Sequence, residues 1–501
     1  MRLRILPLGL FFLLTVSISA QSVSESVTIE VVDVPVYVTR NGTPVKGLMG
    51  EDFELFVNGK IVPIEYFDVV SAEVPVGGEV PAGDLRQRRL TLLLFDLAFT
   101  NVISTTRARR AAGQLIAGAP EGDLFAIASY SSVRGIRFAT PFTRDRAALA
   151  RGIASLNATR SGDPLSIVMS DSEREQVYAP ERLDLADLSI AGQMAGEAER
   201  DIALTLERRA AEDQVAGLTE LSARLASLQG QKHVVLLSEG TDGRNRRDSI
   251  QMASSASGYT IYRTGISSAI DGGGFGNRVL TLMERLGDAF QASDVFLHTV
   301  DVEGVGALLG SPSLYLLAEV TGGRFVHNRN DLGAALTDLS TSVSHGYVLG
   351  FVPRNVRAGQ NEIEVRLREP KRGTTLHYRE GFSGTARKTD VSEGLYLADV
   401  VMNDVPQSGT AATLSSAGGK LTATVPMAEL AAQLGGSGSA ELLVYLFSKD
   451  GVAVGFQRHT IEVRADSPAS KVIKMSLPAD AQVAKALLLV NDSLGFSRAA
   501  L

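Results

Sequence analysis

Leu90-Thr91-Leu92-Leu93-Leu94-Phe95, closed by Asp96, is the stretch that decides the fold. A short apolar run with no in-out alternation reads as a strand buried on both faces, as in a parallel sheet covered by helices. Similar runs recur on its C-terminal side: LFAIASY at 124–130, HVVLL at 233–237 and DVFLHTV at 294–300. Between them lie helical patterns. Asn101 to Ala117 is helical in composition, Arg144 to Leu156 carries an apolar helical period, and Asn277 to Phe290 is amphipathic. Asp331 is placed to cap a last helix running to Val343. Arg134 to Phe142 suits an antiparallel edge strand, and Phe325-Val326 follows the turn Thr321-Gly322-Gly323. Strands alternating with helices predict an α/β domain over residues 89–346, with a mostly parallel sheet and helices on both faces.

Two long segments interrupt this alternation. Residues 160–230 exceed what a crossover needs. Their later part sets Leu218, Leu221, Leu225 and Leu228 at steps of three and four, and Gly230 ends the pattern. That predicts a long helix or helical hairpin whose apolar stripe packs on the core. Residues 249–276 are rich in Ser and Gly and read as a mobile surface loop.

The flanks are β in character. In 21–72, VTIEVVDVPVYVTR alternates, and Asn41-Gly42 and Asn58-Gly59 are hairpin signals, so a small β module is expected. Residues 73–88 hold Pro75, Gly77, Gly78, Pro81 and Gly83 and read as a linker. Residues 347–383 supply three strand-like pieces, expected to pair with the N-terminal module because about 45 residues make a small independent core. Residues 384–501 show alternating runs separated by turn signals, which predict a C-terminal Ig-like β-sandwich.

Composition bounds the chemistry. The chain has 501 residues, 45% hydrophobic and 21% charged, which suits two to four packed domains rather than disorder. It has no Cys, so disulfides, thiolate nucleophiles and iron–sulfur clusters are excluded. Six His are scattered without a tight pair. Arg2 and Arg4 precede the apolar run ILPLGLFFLLTV and the small residues Ser17 to Ala20, the layout of a secretory signal peptide over 1–20. Its removal takes Arg2 and Arg4 away, moving the formal charge from −7 to −9. No later run is long enough for a membrane span. The expected location is therefore outside the cytoplasm: periplasmic, cell-surface or secreted. An acidic chain without basic runs argues against a nucleic-acid partner.

In an open α/β sheet, ligands gather beyond the carboxyl ends of the strands. Three oxygen-rich tips fall there: Asp96 with Thr100, Ser238-Glu239-Gly240-Thr241-Asp242, and Asp301 with Glu303. Such tips suit a hard cation. No P-loop or GxGxxG follows a strand, and no G-x-S-x-G places a nucleophile, so no enzyme chemistry is expected.

The tip Asp96-Leu97-Ala98-Phe99-Thr100 resembles the first loop of a von Willebrand factor A domain. The wider chain resembles acidobacterial proteins related to that domain. The shared blocks, in order, are GTPVKGL at 42–48 with Glu51-Asp52-Phe53, LLLFD at 92–96 and GQKHVVLLSEG at 230–240. They continue with VFLHTVDVEGVG at 295–306, LLAEVTGGRFV at 316–326, YVLGF at 347–351 and YREGF at 378–382. The resemblance covers about residues 27–382 and implies a Rossmann-like von Willebrand factor A domain. Such a domain holds Mg²⁺ (or Ca²⁺ or Mn²⁺) at a metal-ion-dependent adhesion site and binds an acidic residue of a partner protein. Carried onto this chain, the ligands would be Asp96, Thr100 and Glu239, with Thr159 as the second-loop hydroxyl. Asn101, Thr241, Asp242 and Asp301 would border the partner contact. The chain departs from the pattern at Ala98, which has no oxygen, and at Glu239, which stands where the third loop usually has Asp. Two readings follow: an exported, non-enzymatic adhesion-type protein with a degenerate cation site, or an envelope scaffold with an inactive site that binds through its β modules. In the second, Asp96 and Glu239 would do no more than cap neighbouring helix starts.

Overall fold

The computed structural model describes residues 31–71, 85–156, 194–240, 276–305, 311–354, 356–357, 360–383, 390 and 393–501. Residues 1–20, expected as a signal peptide, most of the expected linker, the first part of 160–230 and most of 249–276 lie outside them.

Alternating Val-rich sequence produces β1 (Val32–Arg40), followed by β2 (Thr43–Pro44), β3 (Phe53–Val57), β4 (Lys60–Val62) and β5 (Tyr66–Ser71). Two hairpins close through Asn-Gly pairs with positive φ: Asn41 and Gly42 at 52° and 84°, Asn58 and Gly59 at 50° and 74°. That is the backbone a two-residue turn needs to match the strand twist.

The chain then builds a six-stranded sheet. Its elements are β6 (Arg89–Asp96), α1 (Val102–Gly118), β7 (Leu124–Ser131), β8 (Gly135–Thr143) and α2 (Arg146–Ser155). They continue with α3 (Met194–Leu225), β9 (Gln231–Ser238), α4 (Gly276–Ser293) and β10 (Val295–Asp301). The last are α5 (Pro312–Val320), β11 (Phe325–Val326) and α6 (Leu332–Ser342). The strand order is β11-β10-β9-β6-β7-β8, parallel except for the edge strand β8. Successive side chains of a strand point to opposite faces. Leu90, Leu92 and Leu94 of β6 therefore pack against α3, α4 and α5, while Leu93 and Phe95 pack against α1, α2 and α6. Burial on both faces is why β6 shows no alternation in sequence.

β12 (His345–Phe351), β13 (Gln360–Leu367), β14 (Thr374–Tyr378) and β15 (Gly381–Ser383) return to the first module. β12 pairs with β1 and β5, β14 with β1, and β13 with β3. Two antiparallel sheets result, packed around Val34, Val36, Phe53, Leu55, Tyr347 and Phe351. The C-terminal region contains α7 (Gly394–Asn403), β16 (Thr413–Ala417), β17 (Lys420–Val425), α8 (Met427–Gln433), β18 (Gly438–Phe447) and β19 (Ala453–Val463). It ends with β20 (Lys471–Ser476), β21 (Val483–Val490) and β22 (Ser493–Ala500). Its sheets β16-β17-β20 and β19-β18-β21-β22 share one core. Helix α7 has no counterpart in the sequence reading. Leu395 joins the core of the α/β domain, whereas Val400 and Val401 join Leu443, Tyr445 and Leu487 of the sandwich. A helix buried on two sides loses the one-sided period by which helices are recognised.

Buried polar links tie the modules together. Arg88 at the entry to β6 makes two hydrogen bonds to Asp399 of α7, at 3.2 and 2.9 Å, and both residues are buried. At the other seam, a hydrogen-bonded chain runs from the sheet into the first module. The backbone N–H of Arg324 donates to His298 Nδ1 (3.1 Å), so His298 Nε2 carries the proton and donates to His233 Nδ1 (3.0 Å). His233 Nε2 then donates to the Tyr37 hydroxyl (3.0 Å), which donates to Gln231 Oε1. Each imidazole donates once and accepts once, which holds only for neutral rings. Burial, reinforced at His233 by Arg89, depresses its pKa to about 3. Burial pushes His298 well below its ordinary value too, helped by His233, Arg324 and His377.

A His depressed in the folded state contributes stability that is complete above its unfolded value of about 6.5 and is lost as pH falls. The melting temperature is therefore expected to fall steadily from pH 6.5 towards 4, and less steeply in a His233→Gln variant; identical profiles would contradict a neutral buried His233. Removing one partner of a buried ion pair strands the other. Asp399→Ala is expected to cost about 3–5 kcal/mol in urea unfolding.

Candidate functional site

β6, β9 and β10 end side by side, and the register aligns Asp301 with Ser238 across β10 and β9. Asp96 is the last residue of β6 and is 1% exposed. Its Oδ1 accepts the backbone N–H groups of Ala98 and Phe99, both at 3.0 Å, which folds the chain into the turn leading to α1. Its Oδ2 accepts the Ser238 hydroxyl at 2.6 Å and the Gln214 amide Nε2 at 3.0 Å. An ionised carboxylate offers about four lone-pair positions, and four donors are present. Burial raises the Asp96 pKa above the ordinary carboxylate value, against the pull of those hydrogen bonds.

The neighbouring tips are also engaged. The Ser238 hydroxyl accepts the N–H of Gly240 (2.9 Å). Gly240 has φ +83°, and a Cβ there would lie 1.9 Å from Ser311 Oγ, so the backbone passes too close to the start of α5 for a side chain. Asn101 caps α1 by accepting the N–H of Ser104 (2.9 Å), and its Nδ2 donates to Glu239 Oε1 at 2.5 Å. Asp301 is buried and accepts the N–H of Glu303 at 3.0 Å. Arg107 reaches from α1 to the carbonyls of Glu303 and Asn330, both at 3.1 Å.

The sequence-predicted residues do not all converge on one point. Asp96 and the start of the Ser238–Gly240 tip meet directly. Glu239, expected as a metal ligand, accepts a hydrogen bond at Oε1 from Asn101, expected at the partner contact. Thr159, Thr241 and Asp242 lie outside the described residues. The expectation that Asp96 serves only as a backbone cap covers half of what it does. It caps Ala98 and Phe99, but its other oxygen holds two side chains from distant elements. Gln214 was missed. Its signal was a polar residue one turn before Leu218, on the apolar stripe of α3, where a side chain must find a buried partner.

Two hydroxyls here have no hydrogen-bond partner among the described residues: Thr100 Oγ1 and Tyr130 Oη. The Tyr130 ring stacks on Phe99, and burial beside Asp96 and Asp213 drives its pKa up. Among the described residues no group of three or more His, Asp or Glu is placed to hold a metal ion. With its lone pairs taken by N–H and O–H groups, Asp96 does not fit a cation as it stands. Among the described residues the rim carries exposed apolar side chains beside polar ones: Val102 and Ile103 at the start of α1 are 76% and 75% exposed, and Val133 and Val305, on loops of the same edge, are exposed as well, as are Asn101 and Glu303.

No family model and no curated protein matches the chain. Among solved structures, an aerotolerance-related membrane protein from Bacteroides fragilis is similar over 51% of this chain and 98% of its own, at 9% identity and a TM-score of 0.23. BatB from Bacteroides thetaiotaomicron matches the same shares at 8% identity and 0.23. Three N-terminal domains of the type V pili tip protein Mfa5 from Porphyromonas gingivalis match over 88% of this chain and 78% of theirs, at 10% identity and 0.27.

Removing the Asp96 carboxylate strands four donors at once, each costing about 1–3 kcal/mol when buried. Asp96→Ala is expected to destabilise the protein by about 3 kcal/mol or more in urea unfolding. A loss under about 1 kcal/mol, the scale of a single cap, would mean that the side-chain bonds to Ser238 and Gln214 contribute nothing.

Proposed function

We propose that this chain is an exported, non-enzymatic interaction protein. In this reading it is built on a von Willebrand factor A-like α/β domain and works as a scaffold of the cell envelope without a bound cation. The blocks from 42 to 382, and a mostly parallel sheet with helices on both faces, support the domain assignment. The leader-like start at 1–20 supports export to the periplasm, the cell surface or the medium. Among the described residues no helix is long and apolar enough to cross a membrane.

One observation carries the choice of a cation-free scaffold over a metal-dependent adhesin: the Asp96 carboxylate has a protein donor in each lone-pair position. An adhesion site of the family's kind needs that carboxylate to face a hard cation. Val102 and Ile103, adjacent and exposed at the start of α1, support contact of this edge with another protein, with Val133 and Val305 exposed on other loops of the same edge. The flanking β-sandwiches, fastened by the Arg88–Asp399 and Tyr37–His233 links, would hold this edge in a set orientation.

The metal-dependent reading has one observation in its favour, the unpartnered Thr100 hydroxyl, a group that Mg²⁺ would use. Ligand at a hundredfold excess over its Kd stabilises by about 2.7 kcal/mol. In a domain of this size that is several degrees of melting temperature. The melting temperature is expected to be the same in excess Mg²⁺ and in EDTA. A rise of several degrees with Mg²⁺ would overturn the cation-free reading in favour of the adhesin.

A further inference from the structure

Gln214 sits on α3 and is 3% exposed. Val215 and Leu218 beside it lie in the α/β core, which fixes the helix against the sheet. The backbone of α3 also rides on Tyr130: a Cβ built on Gly217 would lie 3.7 Å from the Tyr130 ring. The amide orientation is dictated by its partner. Asp96 Oδ2 is an acceptor, so the Gln214 nitrogen, with its partial positive charge, faces it at 3.0 Å. A hard cation ligated directly by the same oxygen would sit about 2.1 Å from it. An N–H group and a cation cannot share that lone pair.

We infer, resting on the cation-free reading above, that Gln214 is the residue that keeps this position free of metal: its amide is a built-in neutral substitute for the cation. The substitution of an N–H donor for an ion satisfies the buried carboxylate without a metal supply. It leaves two hydroxyls of the same neighbourhood, Thr100 Oγ1 and Tyr130 Oη, without described partners. Shortening Gln214 frees the Oδ2 lone pair and opens a space of about the amide's size next to an aspartate that desolvation now penalises. Divalent ions of the Mg²⁺ and Mn²⁺ class would enter there with water completing their shell. Gln214 would thus determine whether the domain takes a cation at all, with Ala98 and Glu239 as secondary departures.

The test is Mn²⁺ binding, followed by electron paramagnetic resonance of free Mn²⁺, on the full chain. Wild type is expected not to bind at up to about 1 mM. Gln214→Ala is expected to bind with a Kd on the order of 10⁻⁴–10⁻³ M, the range of weak oxygen-ligand sites, and to lose binding when Asp96→Asn is added. Gln214→Leu, which keeps the bulk and removes the donor, is expected to stay metal-free. Gln214→Ser serves as the opening variant if Gln214→Ala does not fold by circular dichroism. A folded opening variant that takes up no Mn²⁺ overturns this inference alone. Wild-type binding overturns it together with the cation-free reading.

Discussion

A carboxylate buried at the end of the central strand must be matched by as many donors as it has lone pairs, and much of the α/β domain is arranged around that demand. Asp96 is held at the tip of β6 by the hydrophobic run behind it, so it cannot retreat into water. Two of its donors come from its own turn, one from the tip of β9 and one from helix α3. Those four bonds join a strand, its neighbour and a covering helix at one point. A buried carboxylate short of partners would cost several kcal/mol, so the tips of β6 and β9 and the position of α3 are mutually constrained.

The same logic operates at the seams between modules. Hydrophobic packing alone would let the flanking sandwiches slide, because apolar contact is non-directional. The Arg88–Asp399 pair and the chain Arg324–His298–His233–Tyr37–Gln231 are directional and buried. Misalignment would leave charged or polar groups unpaired. The protein contains no Cys, so these noncovalent pairs fix alignments that disulfides fix in other proteins.

What was legible follows from burial patterns. Leu90 to Phe95 could be read as β6 because a strand covered on both faces has a continuous apolar signature. The Asn41-Gly42 and Asn58-Gly59 hairpins could be read because those residues tolerate positive φ. The Leu218 to Leu228 stripe pointed to α3 because one face packs and the other does not. Helix α7 was illegible for the opposite reason: packed between two cores, it has no polar face to set the period. At the site, Asp96 and its loop were legible, since an acidic residue closing a strand buried on both faces must find donors at the strand tip. Gln214 was not, because a polar residue on an apolar stripe announces that it has a partner without saying which.

The amino-acid sequence by itself determined the alternation of buried strands and helices, the β character of both flanks, the absence of thiol chemistry and the acidic residues at the strand tips. These depend on local composition and period, which each segment carries alone. The tertiary structure alone decided what meets Asp96. Gln214 lies 118 positions away and Ser238 lies 142 positions away, and no local preference links them. Their convergence is fixed by the parallel register of β6 with β9 and by the packing of α3 on the sheet. That convergence turns a loop that resembles a cation site into a carboxylate already supplied with its partners.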